Sequence, residues 1–572
     1  HLGVVATWRS PDRFGKKFGD RYQKKVKKDR LPEIFDQLGD IFGPPHIIDE
    51  SVEKLSVYRS FERIEITPEA MERDWCWLSV SYGFADHIKV SLSEIYMARV
   101  SGNRYLPVEN GWVDPGDFDI GELNNQAGKH IISQIKSENQ NLRLSRLDVI
   151  RLRAALEGKG KVVVADSDSD AGRHVNALFE LIPPFPVALP DGLSGRLRNY
   201  QMQGLQWLVF LSENRFGGLL CDEMGLGKTH QVMGLMAWLL SVKQEKRPFL
   251  VVCPTTVISH WERKIREHAP VLCPNVYHGI ERELEKSIAA GTVLITSYGI
   301  LWRDADRLSK IAFSLAAFDE AQAIKNSETK SYLAAAGIRA GIKLVVTGTP
   351  VENRLGDLKS LVDLVLPGYL GSDDMFALQD DGTGRGTRAR TESLRRLVRP
   401  FALRRTKSAV LTELPEKIED IRYCRLTDTQ VKLYRQAISG RGADLIRAIT
   451  QGEDKIPYLH IFALLTLLKQ ICNHPASISP EEASLKIYGP EASGKWQLFV
   501  ELLESCLEND LKIVVYSQFV AMIDMIRAYL QDNKIGFAGI TGKTHHRARE
   551  IDRFNNDSNC RVFVGSLKAG GA

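Results

Sequence analysis

The stretch Leu219-Leu220-Cys221-Asp222-Glu223-Met224-Gly225-Leu226-Gly227-Lys228-Thr229 joins a short apolar run to a helical pattern in which Val232, Leu235, Met236 and Leu239 share one face. Glycines let the backbone curl so that its N–H groups point at a phosphate. In such a loop Lys228 neutralises the β- and γ-phosphates and the Thr229 hydroxyl holds Mg²⁺. The strict G-x-x-x-x-G-K-[ST] pattern is not met, because Asp222 takes the first glycine position. The order of strand, loop and helix nevertheless predicts a nucleotide-binding site over Asp222–Thr229.

A pair of acidic residues follows a later apolar run. The run Leu315–Phe318 leads directly into Asp319-Glu320-Ala321-Gln322. Two neighbouring acids at a strand end can divide the work of phosphate hydrolysis, because one holds the metal and the other activates water. We therefore predict that Asp319 holds Mg²⁺ and that Glu320 orients and deprotonates the attacking water. Alone, such a pair is more typical of a solvated turn, and the phosphate loop before it favours the catalytic interpretation.

From residue 190 onward, short apolar runs alternate with amphipathic stretches, which is typical of parallel sheets covered by helices. The runs that predict buried strands are Phe249–Cys253, Val293–Thr296, Leu315–Phe318, Leu344–Val346, Ile513–Tyr516 and Val562–Val564. Between about 350 and 490 the pattern is mostly helical. The predicted fold class is α/β, with two doubly wound parallel-sheet lobes and helical insertions. Ligands of such sheets bind at the carboxyl ends of the strands.

Residues 1–190 have a different pattern. Alternating segments such as Trp75–Val80 and the turn signal Asn110-Gly111 predict a mixed α+β region. The stiff segment Pro183–Pro186 marks a boundary before the composition changes. We predict a regulatory or targeting region over 1–190, a first lobe over 191–410, a helical junction and insertion over 411–492, and a second lobe over 493–572.

Composition limits the class of protein. The chain has 572 residues, of which 26% are charged, and a formal net charge of +5, which permits a nucleic-acid partner without requiring one. Its 8 cysteines are scattered and contain no C-x-x-C pair, so we expect reduced core thiols instead of zinc ligands or disulfides. The longest uncharged stretch, 287–302, is shorter than the ~20 apolar residues that span a bilayer. We expect no membrane partner and a cytoplasmic protein.

From about Leu197 to its last residue, the chain resembles the Swi/Snf-type ATPases of helicase superfamily II, in an ordered series of motifs. Leu197–Gln201 is similar to the adenine-side motif, which implies that Gln201 reads the base, and Asp222–Thr229 matches the family's phosphate loop. The further matching segments are Pro254-Thr255-Thr256, Thr296-Ser297-Tyr298, Asp319–Gln322 with Ile324-Lys325-Asn326, and Thr347-Gly348-Thr349-Pro350. The resemblance implies RecA-like lobes. It implies DNA contacts at Thr256 and Lys325, and coupling of hydrolysis to lobe movement through Gln322, Thr347, Gly348 and Thr349.

Two further segments resemble sequence motifs that distinguish this family from strand-separating helicases. They are Leu403-Arg404-Arg405-Thr406-Lys407, continuing to Lys417, and Gln470–Pro475. Physically, Arg404, Arg405 and Lys407 either neutralise DNA phosphates or tether the junction between the lobes, and the sequence favours neither alternative.

The resemblance implies an ATP- and Mg²⁺-dependent translocase, a DNA-dependent ATPase, that binds double-stranded DNA mostly through its phosphates and acts on DNA or a nucleoprotein target. The region around Trp75–Val80 is similar to the segment that precedes the motor in bacterial members. A bacterial protein of this kind is expected to be nucleoid-associated. The alternatives are a strand-separating DNA or RNA helicase, and a regulatory scaffold that binds ATP and DNA without turnover. The chain stops at Ala572, within the family's fifth motif. The final motif, which carries arginine fingers, follows that point in the family. We therefore expect nucleotide and duplex binding, and almost no DNA-stimulated hydrolysis, from residues 1–572.

Overall fold

The structure is a computed structural model. It describes residues 4–8, 16–18, 21–26, 32, 56–72, 74–85, 88–109, 111–114, 131–135, 141–158, 160–279, 282, 284, 289–348, 355–371, 385–411, 419–442, 458–478, 488–544 and 547–567. Within the chain, two compact units are separated between Leu414 and Pro415. Among the described residues, no helix combines the length and the apolar character that crossing a membrane requires.

The first part of unit 1 is a mixed α+β region, as predicted. Its strands are β1 Val4–Trp8, β2 Lys16–Phe18, β3 Arg21–Val26, β4 Ser56–Tyr58, β5 Arg63–Glu72, β6 Trp75–Ala85, β7 Ile88–Ser91, β8 Leu106–Val108, β9 Gly111–Val113, β10 Leu142–Ser145 and β11 Lys161–Val164. Its helices are α1 Leu92–Val100, α2 Arg146–Leu156 and α3 Asp170–Glu180. The largest sheet has the order β10-β6-β5-β11, with β7 paired to β6. Alternating residues of β6 are buried, because one face of this strand packs on the core.

The second part of unit 1 contains a seven-stranded parallel sheet with the order β14-β15-β13-β16-β17-β12-β18. Its strands are β12 Gly218–Leu220, β13 Phe249–Cys253, β14 Cys273–Val276, β15 Thr292–Ser297, β16 Ala312–Asp319, β17 Arg339–Val346 and β18 Ala402–Leu403. Strands β13 and β15 are buried along their whole length, and β16 is buried from Phe313 onward, since a parallel sheet is covered on both faces. The predicted strands of this lobe are confirmed.

Helices accompany the strands of this sheet along the chain. They are α4 Asn199–Glu213, α5 Lys228–Ser241, α6 Ile258–His268, α7 Tyr298–Arg303, α8 Ala305–Leu308, α9 Lys330–Gly337, α10 Leu355–Val365, α11 Arg385–Val398 and α12 Lys407–Val410. Short 3₁₀ turns cover Thr255–Val257, Ala321–Ile324 and Arg399–Phe401. The structure therefore confirms a doubly wound lobe with helical insertions.

The N-terminal region and this lobe share one continuous hydrophobic core. Helix α2 is the bridge between them. Arg151 Nη2 donates to the Tyr369 carbonyl at 2.6 Å, and Arg399 Nη1 donates to Glu157 Oε1 at 2.8 Å. The N-terminal region is thus packed as a part of unit 1.

Unit 2 contains a three-stranded parallel sheet with the order β19-β21-β20. Its strands are β19 Ile513–Ser517, β20 Phe537–Ile540 and β21 Val562–Ser566, and its helices are α13 Asp428–Ala437, α14 Tyr458–Asn473, α15 Gly494–Glu508, α16 Val520–Asp532 and α17 Arg547–Asn556. Trp496, Ile523 and Leu530 pack with β21 in its core. The second set of predicted strands, and the helical segment before it, are confirmed.

Candidate nucleotide site

Sheet order brings the motif residues of unit 1 to one edge. Strands β16, β17, β12 and β18 are neighbours, and all four run in the same direction. Their carboxyl ends therefore deliver Asp319, Thr347, the loop after Leu220, and Arg404 side by side. This is the edge at which ligands of doubly wound sheets bind.

The loop between β12 and α5 has the backbone geometry of a phosphate site. Gly225 and Gly227 have φ angles of 87° and 79°, which favour glycine, and α5 begins at Lys228. Lys228 is only 9% exposed, and its Nζ donates to the Asp222 carbonyl at 2.8 Å. A buried ammonium and unpaired N–H groups at a helix N-terminus favour an anion. The loop thus has the donors that a polyphosphate requires, and Thr229 lies in the first turn of α5.

Gln201 lies in the first turn of α4, beside this loop. Its Oε1 accepts from the Arg198 backbone N–H at 2.9 Å, and its Nε2 donates to the Leu226 carbonyl at 3.2 Å. Both contacts fix the amide against the phosphate loop. The sequence-predicted adenine-side residue and the phosphate loop are therefore brought together.

Asp222 is completely buried. Its carboxylate accepts from Arg405 Nε at 2.9 Å, from the Arg405 backbone N–H at 3.1 Å, from Arg405 Nη2, and from Gln231 Nε2 at 3.1 Å. Arg405 Nη2 also donates to Gln231 Oε1 at 2.8 Å, and Nη1 donates to the Tyr200 carbonyl. The aspartate at the first glycine position therefore anchors an arginine that lies 183 residues away in sequence.

Gly204 makes room for this network. A Cβ at Gly204 would lie 1.8 Å from Gln231 Oε1 and 2.9 Å from Arg405 Nη2. Any side chain at this position would displace both groups. The Arg405 side chain is 13% exposed. Because its donors are directed at Asp222, Gln231 and Tyr200, the contacts favour the tethering alternative for Arg405 over contact with DNA.

The acidic pair lies at the end of β16. Asp319 Oδ2 accepts from the Trp261 indole N–H at 2.7 Å, and Oδ1 accepts from the Glu320 backbone N–H at 3.0 Å. The Tyr298 hydroxyl donates to the Asp319 carbonyl at 2.8 Å. Glu320 itself is left-handed, with φ 49° and ψ 54°, a conformation that is costly for a residue with a Cβ and is concentrated at functional sites.

Burial raises the pKa of the Asp319 carboxyl from its ordinary 3.8 to about 6, against the lowering effect of the Trp261 hydrogen bond. The charge of Glu320 raises this pKa further, whereas the nearby Lys228 ammonium lowers it. The raised pKa shows that the buried carboxylate charge is unfavourable without a partner. A bound divalent metal ion would offset that cost, so Asp319 suits the role of a metal ligand. Each Asp319 oxygen keeps a second lone pair, so the donor set fits Mg²⁺.

A hydrogen-bonded chain leaves the acidic pair toward β17. Gln322 Nε2 donates to Glu320 Oε2 at 2.9 Å, and Gln322 Oε1 accepts from Thr347 Oγ1 at 3.3 Å. Thr347 is 1% exposed, and its backbone N–H donates to the Leu220 carbonyl at 3.1 Å. Gly348 lies beside Lys228, because a Cβ there would be 3.8 Å from Nζ. Thr349 lies outside the described residues.

The sequence-predicted DNA contacts are spread along the same edge of unit 1. Thr256 is exposed on the 3₁₀ turn after β13, and Arg404 and Lys407 are exposed after β18. Lys325 Nζ lies 3.7 Å from Asp357 Oδ2. The exposed side chains of Thr256, Arg404 and Lys407 can reach a polyanion in solvent, which separates them from Arg405, whereas Lys325 is half-buried.

Sequence reasoning missed the partners of the buried acids. Trp261 follows the predicted DNA contact Thr256 in sequence, yet it is fully buried against Asp319. Its spacing with Ile258 and Ile265 on the apolar face of α6 was a signal of burial. Gln231, inside the otherwise apolar face of α5, was the corresponding signal for the Asp222 network.

Part of the chain is similar in sequence to known proteins. Residues 200–477 match the SNF2-related domain family. An uncharacterized ATP-dependent helicase of Mycoplasma pneumoniae is 34% identical over 68% of this chain and 36% of its own length. The ISWI chromatin-remodeling complex ATPase of Saccharomyces cerevisiae is 31% identical over 66% of this chain and 35% of its own length.

Among solved structures, a Sulfolobus solfataricus SWI2/SNF2 ATPase core in complex with dsDNA is 31% identical, covering 67% of this chain and 80% of that chain with a TM-score of 0.39. The chain spans about a third of the length of the two curated relatives.

Proposed function

The chain belongs to the SNF2-related family of ATPases, and on this premise we propose that the whole protein is an ATP-driven translocase on double-stranded DNA. One observation carries the proposal. The phosphate loop and the acidic pair lie at neighbouring strand ends, and Gln322 and Thr347 connect the acidic pair back to the base of the loop. Such a connection is what a motor needs, since the state of the nucleotide must be communicated to the protein.

In this proposal unit 1 binds ATP. The backbone of Asp222–Gly227 and the Lys228 ammonium hold the phosphates, and Gln201 contacts the base. Thr229 and Asp319 hold Mg²⁺, which when bound neutralises charge on the phosphates. The buried, hydrogen-bonded Asp319 supports this role, because its geometry is already fixed by Trp261.

Glu320 is the proposed general base. Its left-handed backbone turns it out of the β16 strand direction, and Gln322 holds its carboxylate at 2.9 Å. A movement of this carboxylate would be transmitted to Gln322 and Thr347, because the three side chains form one hydrogen-bonded chain. We assign motor coupling to Gln322, Thr347, Gly348 and Thr349. Arg405 is assigned to tethering the phosphate loop to the segment that follows β18.

Duplex DNA is the proposed track. Thr256, Lys325 and Arg404 are the residues that we assign to its phosphates, so sequence preference should be slight and salt dependence steep. We assign 1–190 to regulation or targeting, 191–410 and 493–572 to the two lobes, and 411–492 to the junction. The target is DNA or nucleoprotein, and the location is the cytoplasm, with association to the nucleoid if the source is bacterial.

The test compares circular duplex DNA, single-stranded DNA and RNA as activators of the whole protein's ATPase. We expect stimulation by circular duplex without strand displacement. Lys228→Ala should lose ATP binding or turnover, whereas Glu320→Gln should bind Mg-ATP and hardly hydrolyse it. Lys246→Ala, at an exposed lysine of the same lobe, is the matched control.

Two results would redirect the proposal. Displacement of a strand, or stimulation by RNA, would indicate a helicase. Binding of ATP and DNA by the wild-type protein without any turnover would indicate a regulatory scaffold. Normal turnover by Glu320→Gln would remove Glu320 from the role of general base.

A further inference from the structure

The segment that follows β18 lies along the phosphate loop and contacts it as far as Lys407. We propose that Lys407 is a nucleotide-binding residue, whose ammonium contacts the base-proximal phosphates of a bound nucleoside di- or triphosphate. This inference rests on the proposed ATPase function. It takes Lys407 away from DNA and adds a second lysine to the nucleotide site.

Main-chain contacts fix the position of Lys407 relative to the loop. The Cys221 N–H donates to the Leu403 carbonyl at 2.7 Å, and the Glu223 N–H donates to the Arg405 carbonyl at 2.9 Å. The Lys407 N–H then donates to Glu223 Oε2 at 2.7 Å. The first half of the loop is therefore hydrogen-bonded at alternate residues to the segment 403–407, and the Asp222–Arg405 ion pair stabilises this pairing.

The Lys407 side chain extends over the middle of the loop. A Cβ built on Gly225 would lie 3.3 Å from Lys407 Cε and 3.5 Å from Lys407 Nζ. Gly225 has a φ of 87° and lies between the two ends of the phosphate loop, where backbone N–H groups face an anion. The Lys407 ammonium thus lies next to the predicted anion site, and its side chain is exposed.

Sheet order determines which phosphates Lys407 can reach. Strands β17 and β16 lie on one side of β12, and β18 lies on the other. The terminal phosphate must face Asp319 and Glu320, which follow β16. The base-proximal phosphates consequently lie toward β18, the side from which Lys407 comes. ATP and ADP share these phosphates.

The expected effect is a matched loss of affinity for both nucleotides. The Lys407 side chain is exposed, so its contact with a phosphate should have an energy near the lower limit for hydrogen bonds to charged groups. Loss of the contact should raise Kd about tenfold. Lys407→Ala and Lys407→Gln should each weaken ATP and ADP about equally. Lys407→Arg should retain most of the wild-type affinity for both nucleotides, because arginine keeps the positive charge and a similar side-chain length.

The experiment uses the 572-residue chain and measures Kd for ATP and for ADP by titration calorimetry. Lys246→Ala is the matched control, and melting temperatures confirm that every variant folds. Binding of a short duplex is measured in parallel. A tenfold rise in both nucleotide Kd values, with duplex binding nearly unchanged, supports the proposal.

Unchanged nucleotide Kd values with weaker duplex binding would overturn it and return Lys407 to the DNA surface. Loss of ATP affinity alone, with ADP unaffected, would also overturn it, because the contact would then be to the terminal phosphate. Failure of the wild-type chain to bind either nucleotide would refute the proposed function and this inference together. Normal wild-type binding with a normal Lys407→Ala refutes only this inference.

Discussion

Replacing Arg405 with methionine tests the anchor of the phosphate loop. Asp222 is completely buried and Arg405 is 13% exposed, so the pair is largely removed from water. Removing one partner of a buried pair costs about 3–5 kcal/mol, since the other charge remains unpaired. Asp222 would keep its hydrogen bond from Gln231 Nε2 at 3.1 Å. Because this donor remains, we expect the loss of stability to be near the lower limit, at about 3 kcal/mol.

The measurement is the free energy of unfolding in urea, followed by tryptophan fluorescence, because Trp207, Trp238 and Trp261 all report on this lobe. The matched control is Arg404→Met, which removes an exposed neighbour and should change stability by less than about 0.5 kcal/mol. In a double-mutant cycle with Asp222→Asn, the second substitution should cost much less once the first is present.

One result would refute the reasoning. If Arg405→Met unfolded at the same urea concentration as the wild type and instead bound duplex DNA more weakly, Arg405 would be a DNA contact. The coupling energy with Asp222→Asn would then be near zero. The tethering role requires the opposite pattern, a loss of stability that is shared with Asp222.

Two other predictions follow from the contacts of unit 1. Because burial raises the pKa of Asp319 to about 6, its protonated form is favoured by the fold, so stability without nucleotide should fall as pH rises from 3.8 to about 6. Mg²⁺-dependent ATP affinity should fall below pH about 6, and Trp261→Phe should move the midpoint of this pH dependence upward. Calorimetry at a series of pH values would check both expectations, and an unmoved midpoint would contradict the role of the indole N–H. Arg151→Ala removes the contact to the Tyr369 carbonyl and should lower stability by about 1 kcal/mol with no change in nucleotide Kd, whereas a changed Kd would connect the N-terminal region to the site.

Local sequence was sufficient for the elements that carry the site. The predicted strands of the lobe each contain a short apolar run, and the loop after Leu220 contains its own glycines and leads directly into a helix. Such features depend on neighbours within a few residues, so they can be predicted without knowledge of the fold. The positions of Lys228 and Asp319 at the carboxyl ends of their strands follow from the same reasoning.

Contacts between distant segments were beyond prediction. Trp261 and Asp319 are 58 residues apart, and nothing local in either segment identifies the other as its partner. The sequence left Arg404, Arg405 and Lys407 as equal candidates for DNA phosphates or for tethering. The structure separates them, because β18 pairs with β12 and turns Arg405 inward while Arg404 stays exposed.

The sequence by itself determined the fold class, the phosphate loop and the acidic pair, because short-range periodicity and backbone preference encode them. Only the tertiary structure decided what surrounds those groups. The order β16-β17-β12-β18 brings segments together that are far apart along the chain, and burial then converts ordinary side chains into a buried ion pair and a carboxyl with a raised pKa. The aspartate in place of the first glycine is the clearest case, since its reason is an arginine 183 residues away.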